Sequence, residues 1–237
     1  MKPILILKTG ETIPAIADAM GDFEDWIIVG SGLKANKFIT VRIHLDEALP
    51  LLDEISAIII TGSPAMVTEE LAWIKRSEQY VVDAVGLEMP VLGICFGHQL
   101  IAQALGGKVD WHPMGREIGT TKVQLSKNTS KDILFADLSA EIPVHVSHMQ
   151  TVTELPQGSI ILGGNDFDPH HAVYFAKNVW GLQFHPEFDE HIMAAYIRER
   201  FEAIEGEGLD AGALLAQVGP AQDSLKILVS FALLAQG

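Results

Sequence analysis

The fold is decided by residues 90–107, which read PVLGICFGHQLIAQALGG. The apolar run Val91–Ile94 predicts a buried strand, and the spacing of apolar residues after it predicts a helix over Phe96–Leu105 that packs on one face. Gly93 and Gly97 lie two residues before and after Cys95, which is the pattern of a nucleophile elbow. Because such a turn is tight, both flanking residues must be small, and we expect Cys95 to point outward at the carboxyl end of the strand.

The position of Cys95 also favours ionisation of its thiol. The N-terminus of the following helix offers partial positive charge and unpaired N–H groups, which favour thiolate over thiol. The alternative interpretation is that Cys95 is a small buried apolar side chain at a strand end. That alternative explains neither Gly93 nor Gly97, so the pattern favours a cysteine nucleophile.

Short aliphatic runs alternate with amphipathic segments through the first half of the chain. Buried strands are predicted at Ile4–Leu7, Phe38–Ile43, Ala57–Ile60 and Val91–Ile94. Crossover helices are predicted at Ile13–Leu33, Leu49–Ile55 and Glu69–Leu87. This order predicts the α/β class, with a mostly parallel sheet flanked by helices on both faces.

After Gly106 the pattern changes to closely spaced strand-like segments with short polar connections. These segments are Gly119–Leu125, Ile142–His148, Ser159–Gly163, Ala172–Ala176 and Val179–Phe184. They predict antiparallel strands added to the sheet in the second half of the chain.

The last part of the sequence is predicted to be helical. A helix is expected from Asp189 to Ile204, then a linker at residues 205–212 (EGEGLDAG), then an apolar helix over Ser224–Ala235 that covers the sheet or a partner. We interpret residues 1–237 as a single domain with a helical C-terminal tail from about residue 205.

A second chemical pattern lies at the end of a predicted strand, at His185-Pro186-Glu187. Pro186 stops the strand because proline has no N–H for the sheet ladder. His185 and Glu187 are thereby kept close together, so that a carboxylate can orient the imidazole of a general base. A solvated histidine and glutamate in a turn would be the better interpretation if the chain had no cysteine elbow.

Together, GICFGHQ at residues 93–99 and GLQFHPE at residues 181–187 resemble the class I glutamine amidotransferases, enzymes that hydrolyse glutamine and release ammonia. The resemblance extends in order over roughly residues 40–200 and includes Ile60–Pro64 and Val146–His148. Within this family, the sequence pattern is most similar to the amidotransferase part of guanylate synthetases. It implies the flavodoxin-like fold of that family and no cofactor.

The resemblance implies a role for each residue of a catalytic triad. Cys95 would attack the side-chain amide carbon and form a glutamyl thioester. His185 would transfer a proton to the departing ammonia, and Glu187 would hold His185.

An oxyanion hole is also implied, formed by the backbone N–H of Phe96 and an N–H of the Gly62-Ser63 loop. Preorganised donors of this kind are often the largest catalytic contribution. The family often has two glycines before the proline of this loop, whereas Ser63 stands at the second position here.

Three residues are expected to bind substrate by the same resemblance. Gln99 lies one helical turn after Cys95, where the family contacts the substrate, although a solvated helix residue is the alternative. Ser147 and His148 match the segment that binds the α-amino and carboxylate groups of glutamine, largely through backbone. Met149-Gln150 follows, where the family usually has Gly-Asp.

Composition excludes several other classes of protein. The chain has 16 Lys and Arg against 31 Asp and Glu, a net charge of −15, which argues against nucleic-acid binding. A single cysteine excludes an intrachain disulfide and a cysteine-based zinc cluster. No apolar stretch approaches the roughly 18 residues of a membrane span. We therefore expect a cytoplasmic protein without membrane contact.

Two further motifs are set aside. Residues 30–35 match the GxGxxA dinucleotide fingerprint, but a strand resumes at Phe38, too soon for the helix that this fingerprint requires. His170 and His171, with Asp166 and Asp168 nearby, suggest a metal site, yet adjacent histidines in extended chain point apart. No metal is expected.

The length of the chain leaves the use of the ammonia open. Only 50 residues follow Glu187, too few for a domain that uses ATP. We therefore expect a stand-alone hydrolase acting on glutamine, with a synthetase partner that accepts the ammonia. The alternatives are a γ-glutamyl peptidase, which uses the same triad, and a non-catalytic regulatory subunit of a synthetase. An oligomer is compatible with the apolar C-terminal helix.

Overall fold

The computed structural model describes residues 2–237. Its strands are β1 (Ile4–Lys8), β2 (Phe38–Arg42), β3 (Ala57–Ile60), β4 (Val91–Ile94), β5 (Lys108–Trp111), β6 (Glu117–Leu125), β7 (Glu141–His148), β8 (Gln150–Glu154), β9 (Ile160–Gly164), β10 (Ala172–Ala176) and β11 (Val179–Leu182). Its α-helices are α1 (Pro14–Met20), α2 (Phe23–Ser31), α3 (Ala72–Gly86), α4 (Phe96–Ala104), α5 (Glu190–Glu199), α6 (Phe201–Gly206), α7 (Ala211–Ala216) and α8 (Gln222–Leu234).

The main sheet has nine strands in the order β2-β1-β3-β4-β11-β10-β9-β6-β7. The pairs from β2 to β11 are parallel, and the pairs from β11 to β7 are antiparallel. The predicted α/β class, with a parallel sheet and antiparallel additions in the second half, is confirmed. Strands β5 and β8 form a separate antiparallel pair that the sequence did not predict.

Side chains alternate between the two faces of the parallel strands, and each face has its own core. Ile4 and Ile6 of β1 belong to the core beneath α2 and α8, whereas Leu5 and Leu7 belong to the core beneath α3 and α4. Because both faces are covered, the strands are continuous apolar runs rather than alternating ones.

The C-terminal helix α8 covers the sheet. Ile227, Leu228 and Phe231 are fully buried in the same core as the strand residues of that face. The ring of Phe231 meets Trp180 of β11 edge-on, with centroids 6.3 Å apart. Of the two expectations for this helix, burial against the sheet is therefore confirmed.

Three predicted helices differ from the structure. The segment Ile13–Leu33 forms two helices because Gly21 has a φ of 84° and Asp22 caps α2 by accepting from the N–H of Phe23. Leu49–Ile55 forms only a 3₁₀ turn at Leu52–Glu54.

The helix predicted from Asp189 to Ile204 is likewise divided into α5 and α6. The expected linker at residues 205–212 contains the end of α6 and the start of α7. Within residues 2–237, no helix combines the length and apolar character needed to cross a bilayer.

Candidate active site

Cys95 lies at the tip of a turn between β4 and α4. Its backbone has φ 51° and ψ −101°, a strained conformation for a residue with a side chain. A Cβ on Gly93 would lie 2.4 Å from the carbonyl oxygen of Gly97, and a Cβ on Gly97 would lie 2.5 Å from the carbonyl oxygen of Ile60. Glycine is therefore required on both sides of Cys95, as the elbow pattern predicts.

His185 and Glu187 follow β11, the strand that pairs with β4 in parallel. Leu182 is in register with Ile94, so the carboxyl ends of the two strands meet and bring His185 to Cys95. The Nδ1 of His185 lies 2.8 Å from Oε1 of Glu187, whose side chain is fully buried. The imidazole also stacks on Phe188 at a centroid distance of 4.1 Å, so its plane is fixed from one face.

The electrostatics of this pair favour a thiolate and an imidazolium. Burial alone would raise the pKa of Cys95, but the charge and hydrogen bond of His185 hold it below its usual value. Burial would lower the pKa of His185, but Glu187 and Cys95 raise it well above that of a free imidazole. Each group thus stabilises the charged form of the other.

The loop after β3 is fixed by hydrogen bonds to the end of β1. Thr9 Oγ1 donates to the carbonyl oxygen of Thr61 or Gly62, at 3.1 and 3.0 Å, and Ser63 Oγ donates to the carbonyl oxygen of Thr9 at 2.7 Å. Ser63 Oγ also accepts from the N–H of Ala65, at 3.1 Å. The Ser63 side chain therefore orders the loop at the position where the family often has glycine.

Gly62 and Ser63 are placed to offer backbone donors. In the part of the chain that the structure describes, their N–H groups donate no hydrogen bond. A Cβ on Gly62 would lie 3.0 Å from Cε1 of His185, which shows how closely the loop approaches the imidazole. Phe96 is the first residue of α4, where N–H groups have no intrahelical acceptor.

The three predicted substrate-binding residues surround Cys95. The carbonyl oxygen of Ser147 lies 4.0 Å from Sγ of Cys95. Gln99 is 4% exposed, so the alternative of a solvated helix residue is wrong. Its Nε2 donates to the carbonyl oxygen of Gln150 at 2.7 Å and to Oε1 of Gln183 at 3.0 Å.

Sequence reasoning missed the contact of Gln183 with the thiol. Gln183 is fully buried, and its Nε2 lies 3.6 Å from Sγ of Cys95. The residue stands within the GLQFHPE motif, between β11 and His185, so its place in the motif was the available signal. Its amide donates toward the sulfur and accepts from Gln99, which links the elbow helix to the histidine segment.

His148 belongs to a buried polar cluster beside Cys95. Its Nε2 lies 2.9 Å from Oε2 of Glu117, and its Nδ1 lies 3.0 Å from the carbonyl oxygen of Gln150. Both ring nitrogens face acceptors, an arrangement that favours the imidazolium form. Burial opposes this charge, but the bond to Glu117 raises the pKa of His148 above its usual value. The pKa of the Glu117 carboxyl is held far below its usual value by His148 and His171, against the effect of burial.

His171 completes this cluster, with its Nε2 3.1 Å from the same oxygen of Glu117. One ligand atom from each of Glu117, His148 and His171 lies within 4.8 Å of the others, the grouping that a bound metal ion would require. The 2.9 Å separation between His148 and Glu117 is that of a charge-assisted hydrogen bond, whereas the contact of His171 at 3.1 Å lacks hydrogen-bond geometry. His170 turns away and places Nδ1 2.6 Å from the carbonyl oxygen of Val152, so the adjacent histidines point apart as predicted.

The dinucleotide fingerprint at residues 30–35 has no structural basis. Helix α2 ends at Ser31, and Gly32 follows it in the left-handed conformation with φ 72°. A 3₁₀ turn over Ala35–Lys37 then leads directly into β2. The segment is therefore a helix end, as the sequence predicts.

Two cavities adjoin Cys95, one on each side. The imidazole-side cavity has a volume of about 270 Å³ and is lined by Thr12, Pro14, Phe23, His185 and Tyr196. The elbow-side cavity has a volume of about 100 Å³ and is lined by Phe96, Gln99, His148, Met149 and Gln150. Ser63, Pro64, Cys95, Ser147 and Arg200 line both. Arg200 is a second residue that sequence reasoning missed, because it follows α5 without any motif around it.

Comparison with known proteins identifies the family of this chain. Residues 17–203 match the family model described as glutamine amidotransferase class-I. The chain is 37% identical over 150 residues to a GMP synthase (glutamine-hydrolyzing) of Tolumonas auensis, a match that covers 61% of this chain and 27% of that protein. This chain thus spans about a quarter of the length of that relative.

Solved structures show the same fold. A crystal structure of a glutamine amidotransferase from Thermotoga maritima gives a TM-score of 0.77 at 21% identity, covering 98% of this chain and 97% of that one. A glutamine amido transferase from Methylobacillus flagellatus gives a TM-score of 0.68 at 24% identity, covering 100% of this chain and 90% of that one. The flavodoxin-like amidotransferase fold expected from the sequence is confirmed.

Proposed function

We propose, from the premise that the chain belongs to the class-I glutamine amidotransferase family, that it hydrolyses the side-chain amide of glutamine with Cys95 as nucleophile. The observation that carries this proposal is the line of buried groups Cys95, His185 and Glu187 at the carboxyl ends of β4 and β11. A buried cysteine with a lowered pKa beside an imidazole with a raised one is an activated nucleophile with its proton donor.

The first step is attack on the amide carbon. The Cys95 thiolate forms a carbon–sulfur bond, and the negative charge moves to the carbonyl oxygen. The N–H groups of Phe96 and of the Gly62-Ser63 loop are the donors available to that oxyanion, and they need no reorganisation because hydrogen bonds to Thr9 already fix the loop.

The second step releases ammonia. The imidazolium of His185 gives its proton to the departing nitrogen as the carbon–nitrogen bond breaks and a glutamyl thioester remains on Cys95. Water then attacks the thioester, His185 takes a proton from that water, and glutamate leaves. Glu187 stabilises the imidazolium form of His185 in both steps.

The glutamyl group is held in the elbow-side cavity. Gln99, Ser147 and His148 line this cavity. The ammonia passes to a synthetase partner, a proposal supported by relatives named GMP synthase.

Labelling with an electrophilic glutamine analogue, such as a diazo-ketone, tests the nucleophile. We expect one label per chain by mass spectrometry, slowed by excess glutamine, and no label on Cys95→Ala. Labelling that survives in Cys95→Ala would contradict the assignment of the nucleophile. Circular dichroism shows whether this variant is folded.

Measurement of ammonia release by the isolated protein tests turnover. We expect glutamine to be hydrolysed by the wild type and not by Cys95→Ala. A wild type that binds a synthetase but releases no ammonia, alone or in complex, would instead identify a non-catalytic subunit.

A further inference from the structure

The two cavities beside Cys95 face different parts of a substrate. In the proposed reaction, His185 must deliver its proton to the leaving nitrogen, so the leaving group departs toward the imidazole side. The acyl group lies on the other side, where Gln99 and His148 line the elbow-side cavity. The leaving group therefore faces the imidazole-side cavity, which has the larger volume, about 270 Å³ against about 100 Å³. Ammonia alone does not require so large a space.

Arg200 supplies a positive charge to this larger cavity. Its Nε is buried and has no hydrogen-bond partner. Its guanidinium lies over the ring of Tyr196, 5.6 Å from the centroid, and forms no ion pair with any residue between 2 and 237. A partly buried guanidinium without an acceptor favours binding of a carboxylate, since the planar fork matches the two oxygens.

The neighbouring Arg116, unlike Arg200, already has an ion-pair partner. Its Nε and Nη2 donate to the two carboxylate oxygens of Glu207 at 2.7 and 2.8 Å, so its charge is already neutralised. Burial lowers the pKa of Arg200, and the nearby charge of Arg116 lowers it further. An anionic ligand would relieve both costs. The carboxylate of Glu11 lines the same cavity but is exposed to solvent, where its repulsion of a bound anion is screened.

We infer that the site also hydrolyses γ-glutamyl dipeptides, with the leaving amino acid in the imidazole-side cavity and its carboxylate on Arg200. This inference rests on the proposed function, because the same Cys95 thiolate attacks the γ-carbonyl carbon. The carbon–nitrogen bond to the leaving residue breaks, and His185 protonates the amine that departs. Water hydrolyses the thioester, so that one γ-glutamyl dipeptide and one water give glutamate and a free amino acid.

A matched pair of substrates isolates the contribution of the carboxylate. γ-Glutamylethylamide is γ-glutamylalanine without its terminal carboxylate, so the two differ only in the group assigned to Arg200. We expect kcat/KM of the wild type for γ-glutamylalanine to exceed that for γ-glutamylethylamide by tenfold or more. Tenfold corresponds to about 1.4 kcal/mol, and hydrogen bonds to charged groups reach at least that order.

Variants of two arginines complete the experiment. Arg200→Met is expected to lower kcat/KM for γ-glutamylalanine at least tenfold more than kcat/KM for γ-glutamylethylamide, and so to remove the preference, and Arg200→Lys to retain part of the preference. Arg198→Met is the control, because Arg198 is an exposed arginine in the last turn of α5. Thermal unfolding of each variant separates a loss of fold from a loss of recognition.

The outcomes distinguish two roles of Arg200, which are binding the carboxylate of the leaving amino acid and binding the carboxylate of the glutamyl group. An equal fall in kcat/KM for both substrates and for glutamine would overturn the inference, because Arg200 would then bind the glutamyl carboxylate common to all three. Cys95-dependent hydrolysis of glutamine and of γ-glutamylethylamide, without hydrolysis of γ-glutamylalanine, would overturn the inference and leave the proposed function standing. Hydrolysis of glutamine alone would likewise overturn only the inference, and if none of the three substrates is hydrolysed, both proposals are wrong.

Discussion

Replacing Glu187 with glutamine should shift the pH dependence of catalysis on its basic side. Oε1 of Glu187 accepts from Nδ1 of His185 at 2.8 Å, and its side chain has no exposure to water. The substitution removes the negative charge that stabilises the imidazolium and keeps a side chain of nearly the same volume. A hydrogen bond to a charged group contributes about 1.5–3 kcal/mol. At about 1.4 kcal/mol per pKa unit, the pKa of His185 should fall by about one to two units.

The direction of the shift follows from the proton that each step needs. The pKa of His185 is raised in the folded protein, against the effect of burial, by Glu187 and Cys95, so the imidazolium that protonates the leaving group persists above neutral pH. Loss of the carboxylate lets this proton leave at lower pH. The acid limb depends on ionisation of Cys95, and Glu187 opposes that ionisation. The acid limb of the pH profile of kcat/KM should therefore stay in place or move slightly to lower pH. The basic limb should move to lower pH, so that the bell-shaped profile loses activity on its basic side.

The assay is kcat/KM for glutamine hydrolysis as a function of pH, which reports the free enzyme. Glu199→Gln serves as the control. Glu199 is an exposed carboxylate at the end of α5, so this substitution removes the same charge from a position outside the triad. An unchanged basic limb in Glu187→Gln, with kcat/KM reduced equally at every pH, would refute the electrostatic role and leave Glu187 only the orientation of the ring.

Two predictions concern the scaffold. Gly93→Ala places a Cβ 2.4 Å from the carbonyl oxygen of Gly97, so we expect a loss of about 1–3 kcal/mol in the free energy of unfolding and a fall in kcat/KM, whereas Gly86→Ala, with open space around it, should change neither much. Equal stability of the two variants in urea would contradict the elbow geometry. Phe231→Ala removes a fully buried ring and should cost about 3–5 kcal/mol in urea unfolding, whereas Leu233→Ala, at a position 62% exposed, should cost much less; a small loss at Phe231 would mean that α8 does not close the core.

The elements that could be predicted are those with a distinctive local pattern of residues. A buried parallel strand is a continuous aliphatic run, so Ala57–Ile60 and Val91–Ile94 have the predicted bounds. The sequence did not predict the break between α1 and α2, because the apolar periodicity continues across it. The helix nevertheless ends at Gly21, where the backbone has a positive φ. Strands β5 and β8 are short and pair only with each other, and nothing local distinguishes them from loops.

The candidate site divides in the same way. His185 and Glu187 are two residues apart in one motif, so their contact followed from the sequence. The guanidinium of Arg200 reaches the same cavities from the end of α5, and only the tertiary fold places it there. A residue of this kind carries no local pattern, because its role depends on which strand ends it meets.

The departure at Met149-Gln150 illustrates which positions of such a site are free to vary. The backbone carbonyl of Gln150 accepts from both His148 Nδ1 and Gln99 Nε2, at 3.0 and 2.7 Å. Any residue supplies that carbonyl, so the contacts that orient the imidazolium and the elbow helix do not depend on the side chain at this position. Gln150 itself lines the elbow-side cavity, and its side chain donates to Thr68 Oγ1 at 2.7 Å. A different side chain at position 150 therefore changes the hydrogen bond to Thr68. The hydrogen bonds that His148 and Gln99 donate to the backbone carbonyl of residue 150 stay intact.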